Sequence, residues 1–275
     1  MLSFNRKLDI GPYQDDYHAA ARDGYTDQHD GGWSFEEDGS VEGEIVSPIM
    51  YDEPETWENI SMVCDILRRN GAVADTRVGS HVHVSTNNYD HTVENHNRLL
   101  GMFHEHEDEI YRLATNPERG VHRSAAGRNS YAQPNPRRAT GFTDVAAAAS
   151  ANWGYYAVNL EDTRDGDSSD HAEFRFWDGS LNPSVIQSQI KMSLAMTEAA
   201  FRDQDYTPTG HTPFGSTRRR NHEQHGTSRR LTGEDWRAST EGVRNFADRL
   251  FRRREDKAQL AAMFATTKWH RNGRR

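Results

Sequence analysis

The chain has 275 residues, with 33 Lys and Arg against 42 Asp and Glu, and its formal net charge is −9 at pH 7. The mean hydropathy of −0.95 and the absence of a long apolar run exclude a membrane span, and no signal-peptide pattern opens the sequence, so we expect a cytoplasmic protein. The single cysteine, Cys64, excludes an intrachain disulfide framework and a cysteine-based zinc site.

Strand and helix signals alternate along the chain. Period-two patterns bounded by turn residues predict strands at 43–49, 79–85, 155–160 and 173–176. Apolar residues spaced by three and four predict helices at 55–70, 93–114, 182–202 and 234–265, and a short helix is allowed at 16–22. This order indicates an α+β fold with helices packed on one face of a mostly antiparallel sheet. We expect a catalytic domain at 1–206, a linker at 207–232 and a helical appendage at 233–275.

Charge is distributed unevenly between the body of the chain and its C-terminal end. Residues 215–275 hold 16 Lys and Arg against 7 Asp and Glu, a balance of +9, which leaves −18 for the residues before them. An acidic body argues against general nucleic-acid binding, although the basic tail leaves it open. We expect the tail to dock on the acidic face of the body, because the two charges are complementary and the tail has an apolar helical stripe.

Two strand segments carry the polar residues that are best suited to bind a ligand or to take part in catalysis. Successive side chains of a strand point to opposite faces, so His81, His83 and Ser85 project together, with valines between them. Glu173 and Arg175 share a face in the same way, with phenylalanines between them. Imidazole, carboxylate and guanidinium groups together suit a divalent cation and a phosphate. The alternatives are exposed strand histidines and a surface ion pair of little energetic weight.

A third acid, Glu44, opens the apolar strand that ends in Ser47-Pro48. It is either a residue at the rim of the sheet or a metal ligand. With His81 and Glu173 it would supply two carboxylate groups and one nitrogen, a set that suits Mg²⁺ or Mn²⁺.

Two further polar groups are less specific. The run His104–Glu109 lies in the middle of a predicted helix, and we interpret it as a solvated polar face rather than a metal site. Arg123, Arg128 and Tyr131 lie in the predicted loop 116–140. They would bind an anion if the loop folds over a site, but they are equally typical of an exposed loop.

Taken in order, these motifs resemble a family. The segments Gly79-Ser80-His81-Val82-His83-Val84-Ser85 and Glu173-Phe174-Arg175-Phe176 are similar to strands of the glutamine synthetases. The closer resemblance is to the amidoligase branch of that carboxylate–amine ligase superfamily, and it extends over residues 33–200. It is carried in order by Trp33, Asp38-Gly39-Ser40, Glu44-Ile45-Val46-Ser47-Pro48, His81, His83, Arg128, Tyr131, Asn159, Glu173 and Arg175.

The resemblance implies a fold, two cofactors and a set of roles. The fold would be the glutamine synthetase-like catalytic fold, a curved antiparallel sheet whose concave face holds ATP and Mg²⁺. A substrate carboxylate would become an acyl phosphate, which an amine attacks to give an amide, and a peptide or protein is a candidate carrier of either group. The implied metal ligands are Glu44, His81 and Glu173; the implied ATP contacts are His83, Ser85, Tyr131 and Arg175; and the implied catalytic residues are Glu173, Arg175 and Arg128.

The chain departs from this pattern at one point. The family opens with a strand bearing Glu-x-Glu, whereas the sequence before Trp33 offers only Asp9 within 4–10. Three functions therefore stay open: an ATP-dependent ligase, a catalytically degenerate descendant that binds a nucleotide or a partner, and a metal-dependent hydrolase. The hydrolase would use His81, His83, Glu44 and Glu173 around Zn²⁺.

Overall fold

The structure is a computed structural model that describes residues 2–4, 33–36, 41, 43–75, 77–115, 132–133, 135, 144–151, 154–163, 170–202 and 233–270. The elements in chain order are β1 (Leu2–Phe4), β2 (Ser34–Glu36), β3 (Gly43–Val46), α1 (Pro54–Arg69), β4 (Gly79–Ser85), α2 (Val93–Glu105), α3 (Glu107–Leu113), α4 (Val145–Ala151), β5 (Val158–Asn159), β6 (His171–Asp178), α5 (Pro183–Phe201), α6 (Gly233–Leu250) and α7 (Arg254–His270). The protein is α+β, as predicted. None of the helices in these ranges has the length and apolar character needed to cross a membrane.

The chain forms two compact units. The first consists of residues 1–81 and 178–187, and the second of residues 82–177 and 188–275. The predicted short helix at 16–22 and the linker at 207–232 lie outside the described residues. The division into a catalytic domain, a linker and an appendage stays a prediction.

In the first unit the strand order is β2-β3-β1-β4. β3 pairs antiparallel with both neighbours, and Glu44 is directly opposite Ser3 of β1 and Glu36 of β2. Leu2 of β1 is opposite Ser80 of β4, again antiparallel. One described strand, β1, lies upstream of Trp33, and its sequence Leu-Ser-Phe includes no acidic residue.

Helix α1 of the same unit follows the limits that its sequence sets. Pro54 occupies the first helical position, where its missing N–H costs nothing. The helix ends at Arg69, and Gly71 adopts a φ of 86°, the left-handed conformation that favours glycine after a helix. The inward face buries Ile60, Cys64 and Leu67.

In the second unit the strand order is β4-β6-β5. β5 pairs antiparallel with β6, so that Val158 is opposite Phe174 and Asn159 is opposite Glu173. The strand pairs β1–β3, β1–β4, β2–β3 and β5–β6 are all antiparallel, which agrees with the predicted mostly antiparallel sheet. The curvature of the sheet stays a prediction. Between this sheet and α2, the rings of Phe103 and Phe176 pack at 5.9 Å, and both side chains are fully buried.

The single helix predicted at 93–114 is divided at His106 into α2 and α3. The prediction that the run His104–Glu109 is a solvated face is wrong. The residues of the run whose side chains the structure describes are all buried: His104, Glu105, His106, Glu107 and Glu109.

The physical reason is that α6 covers this run. Arg249 donates a 2.8 Å hydrogen bond to Glu105, and the ring of Phe246 lies 4.4 Å from that of His106. Further along, a Cβ placed on Gly242 would meet the carboxylate of Glu109, so a larger residue at this position requires that side chain to move. These contacts run in opposite chain directions, which makes α6 antiparallel to α3. The Arg249 bond is also a local instance of the expected docking of the tail on the acidic body.

Candidate functional site

The candidate site is built on the polar faces of β4 and β6. In β4, Val82 and Val84 are buried, whereas His83 and Ser85 are exposed and His81 is half-buried. This is the alternation that the sequence predicts. Ser85 lies at the end of the strand, where its hydroxyl donates to Asn87 Oδ1 at 2.7 Å and so takes part in the following turn.

The carboxylate of Glu173 is held on this face by hydrogen bonds from two side chains. Its side chain is only 7% exposed, and Arg175 Nη1 donates to Oε1 at 2.6 Å. Asn159 Nδ2 donates to Oε2 at 2.8 Å, because the antiparallel register places Asn159 directly opposite Glu173. Both oxygens therefore accept a hydrogen bond that fixes the orientation of the carboxylate, and one of these bonds is charge-assisted.

His83 faces the same carboxylate. Its Nε2 lies 3.6 Å from Glu173 Oε1, and its side chain is 43% exposed. Its ring centroid lies 4.8 Å from that of His171, and His171 Nε2 lies 3.7 Å from Asp162 Oδ2. His171 was missed in the sequence analysis, although period-two spacing from Glu173 and Arg175 was a signal that could have found it.

These donors suit a metal ion. His83 and Glu173 belong to a group of three side chains that could hold one, and His81, from the same face of β4, is the third. The part of the chain that the structure describes contains no second group of this kind. A carboxylate has about four lone-pair positions, so Glu173 keeps ligand capacity after accepting from Arg175 and Asn159. Two imidazole nitrogens and one carboxylate oxygen fit Mn²⁺ or Zn²⁺ directly, and Mg²⁺ with more oxygen ligands.

The other predicted site residues are placed differently or lie outside the description. Glu44 is buried in β3 of the first unit. Its predicted role as a metal ligand beside His81 and Glu173 stays a prediction. Arg128 and Tyr131 fall outside the described residues, so their predicted contacts with ATP or a phosphate also stay predictions.

Comparison with known proteins agrees with this reading of the sequence. A family model described as "Putative amidoligase enzyme" matches residues 13–197, which is more than half of the chain and includes every residue proposed for the site. No match was found among curated proteins or among solved structures. The motifs that carried the resemblance lie within the matched range. This chain belongs to the amidoligase family.

Proposed function

We propose that this protein is an ATP- and Mg²⁺-dependent ligase that joins a carboxylate to an amine through an acyl phosphate. Family membership supports a ligase. The observation that carries the finer proposal is the buried carboxylate of Glu173, held by Arg175 and Asn159 and faced by His83. A fixed carboxylate beside imidazoles and a guanidinium is a suitable arrangement for a cation and a triphosphate.

Within this proposal, some residues of this face would bind the metal ion and others would bind the nucleotide. Glu173 and His81, with Glu44, would hold Mg²⁺, which supplies charge neutralisation for the transferring phosphoryl group. His83 and Ser85 would contact the nucleotide, and both are exposed on β4. In phosphoryl transfer the protein contributes mainly positioning and electrostatic stabilisation, so rigidly held polar groups are what the reaction requires.

Arg175 is a suitable residue to bind a phosphate. Its guanidinium presents N–H groups in a fixed planar fork that matches phosphate oxygens, and Nη1 is placed on this face by its 2.6 Å bond to Glu173. The guanidinium would bind the γ-phosphate of ATP and then the acyl phosphate. In the second step the amine nitrogen forms a bond to the carbonyl carbon, the bond from that carbon to the phosphate oxygen breaks, and the leaving phosphate takes up the proton that the amine loses. Arg128 and Tyr131, from the loop, would complete the anion site.

The test is the release of ADP from ATP with Mg²⁺ in the presence of panels of carboxylates and amines. Glu173→Gln should lower the rate by at least about 100-fold, because it removes the metal-binding charge and keeps the side-chain shape. The matched control is Glu161→Gln, the same chemical change at an exposed residue, which should leave the rate unchanged. Circular dichroism checks that both variants fold. A Glu173→Gln variant with the wild-type rate would refute the assignment.

A metal-dependent hydrolase is the second candidate. The two imidazoles of β4 and the carboxylate of Glu173 favour it, since nitrogen-rich sites bind Zn²⁺ well. Ester or amide hydrolysis that needs no ATP and stops on chelation would support it over the ligase. Nucleotide binding without any ADP release would instead support the degenerate descendant.

A further inference from the structure

A second histidine cluster lies in the second unit, at the ends of the strands that form the site. His91, in the connection between β4 and α2, has a side chain that is 13% exposed. Its Nε2 lies 2.8 Å from the carbonyl oxygen of Thr86, and its Nδ1 lies 2.7 Å from the carbonyl oxygen of Thr163. Nδ1 also lies 3.1 Å from Asp170 Oδ2. Each of these partners is an acceptor.

The partners of His91 lie next to the three strands of the site. Thr86 directly follows β4, which carries His83, and Asp170 directly precedes β6, which carries Glu173. The backbone N–H of Thr86 donates to the carbonyl oxygen of Asp170 at 2.8 Å. The third partner, at position 163, ends the short turn that follows β5 and its Asn159. One imidazole therefore joins the end of β4, the start of β6 and the turn after β5.

Asp170 is the ionisable partner of this ring. Its side chain is only 4% exposed, and an imidazole N–H donates to a carboxylate oxygen. Among the described residues, the other groups facing the ring are His96 of α2 and Phe201 of α5, each with its centroid at 6.3 Å.

His96 belongs to the same cluster. Burial is the main cause that lowers its pKa, whereas the hydrogen bond to the backbone of Thr92 raises it. Its Nδ1 lies 2.8 Å from the carbonyl oxygen of Thr92, and its Nε2 lies 2.7 Å from the Thr163 hydroxyl, which itself donates to the carbonyl oxygen of Leu160 at 2.7 Å. His96 therefore extends the hydrogen-bond network of the cluster to helix α2.

We propose that His91, paired with Asp170, is a positioning residue that fixes β4 against β6 and so holds His83 beside Glu173. The pair acts through the strands and does not touch the reacting groups. This inference rests on the proposed function only in that the face it holds together is the proposed metal and nucleotide site.

The test uses two substitutions at one position. His91→Leu removes both ring nitrogens and keeps a side chain of similar volume. His91→Gln instead keeps an amide with two N–H donors, so it should restore the wild-type behaviour. The control is Tyr111→Phe, which removes one 2.8 Å hydrogen bond, to the carbonyl oxygen of Ala132, elsewhere in the same unit. Each variant is measured for Mn²⁺ affinity by electron paramagnetic resonance and for the nuclear Overhauser effect between the His83 and His171 rings.

We expect His91→Leu to weaken Mn²⁺ binding by about 10-fold, the lower end for loss of an outer-shell partner of a metal site. It should also lose the Overhauser effect between the two rings, whose centroids lie 4.8 Å apart. His91→Gln and Tyr111→Phe should keep both signals. If His91→Leu retains the ring contact and the affinity, the positioning role is refuted.

Two further measurements separate the possible failures. Should His91→Leu not fold, Asp170→Asn removes the charge and keeps the backbone bond to Thr86, and it should weaken the ring contact. A wild-type protein that binds no Mn²⁺ would contradict the proposed function, while the ring contact would still test the role of His91.

Discussion

Acidification should weaken the packing of α6 on α3 through one imidazole, His106. The ring lies 4.4 Å from that of Phe246, and among the described residues neither of its nitrogens has a hydrogen-bond partner. Burial lowers the pKa of His106 from 6.5 to about 4, against the effect of Glu105, which raises it, while Arg249 lowers it further. The native protein therefore excludes a proton that the unfolded chain binds readily.

The sign and size of the effect follow from this difference in pKa. Above pH 6.5 the lowered pKa of His106 does not reduce the stability of the protein, because the ring is mostly neutral in both the native and the unfolded state. As the pH falls from 6.5 towards 4, the unfolded chain binds a proton that the native protein does not, and the free energy of unfolding decreases. For one group shifted in this way, the free energy of unfolding falls by about 2 kcal/mol between pH 7 and pH 5. At pH 4 the loss reaches about 3 kcal/mol.

Urea unfolding at pH 7 and pH 5 measures this loss. His106→Leu removes the titrating ring, so its stability should fall by about 2 kcal/mol less than that of the wild type over the same interval. The control is Ile110→Val, a change at a fully buried residue of α3 that carries no charge; it should cost about 1 kcal/mol at both pH values. Equal pH dependence in the wild type and in His106→Leu would refute the reasoning.

Two other predictions concern buried groups. Arg249→Met removes a hydrogen-bond partner of the buried Glu105 carboxylate and should lower the free energy of unfolding by about 2 kcal/mol. The control, Arg244→Met, lies at an exposed position of the same helix and should change the free energy of unfolding by less than about 0.5 kcal/mol. Equal losses for the two variants in urea unfolding would contradict the pairing. Burial raises the pKa of the Cys64 thiol to about 11, so iodoacetamide at pH 8 should label the protein only in urea; rapid labelling of the native protein would contradict the burial.

The elements that sequence predicted well are those whose signals are local. Helix α1 begins at Pro54 because the proline ring fixes a φ that suits the first turn, and it ends before Gly71 because glycine tolerates the positive φ of 86° found there. β4 extends from Gly79 to Ser85, as predicted, because its alternation of polar and apolar residues depends only on the pleat of a single strand. β5 is shorter than predicted, two residues instead of six, since its neighbour Tyr156 forms only an isolated bridge.

The error at His104–Glu109 has the opposite cause. A run of ionisable residues in a helix predicts exposure only if nothing covers it, and the cover comes from α6, more than a hundred residues later in the chain. The complementary signal was available in the basic balance of residues 215–275, but net charge does not say which acidic segment the tail meets. Gly242 shows how closely the two helices pack, because a methyl group added there would meet the carboxylate of Glu109 and require it to move.

The site shows the same division between local and long-range information. The sequence could place His83 on one strand face and Glu173 on another, but their proximity depends on the register between β4 and β6. That register involves the Thr86–Asp170 backbone bond, between residues 84 positions apart that carry no motif of their own. Asn159 reaches Glu173 for the same reason, through the pairing of β5 with β6. The residues that set the register are therefore as informative about this site as those that line it. His91, which joins the end of β4, the start of β6 and the turn after β5, is the residue whose substitution should separate the effect of geometry from that of chemistry.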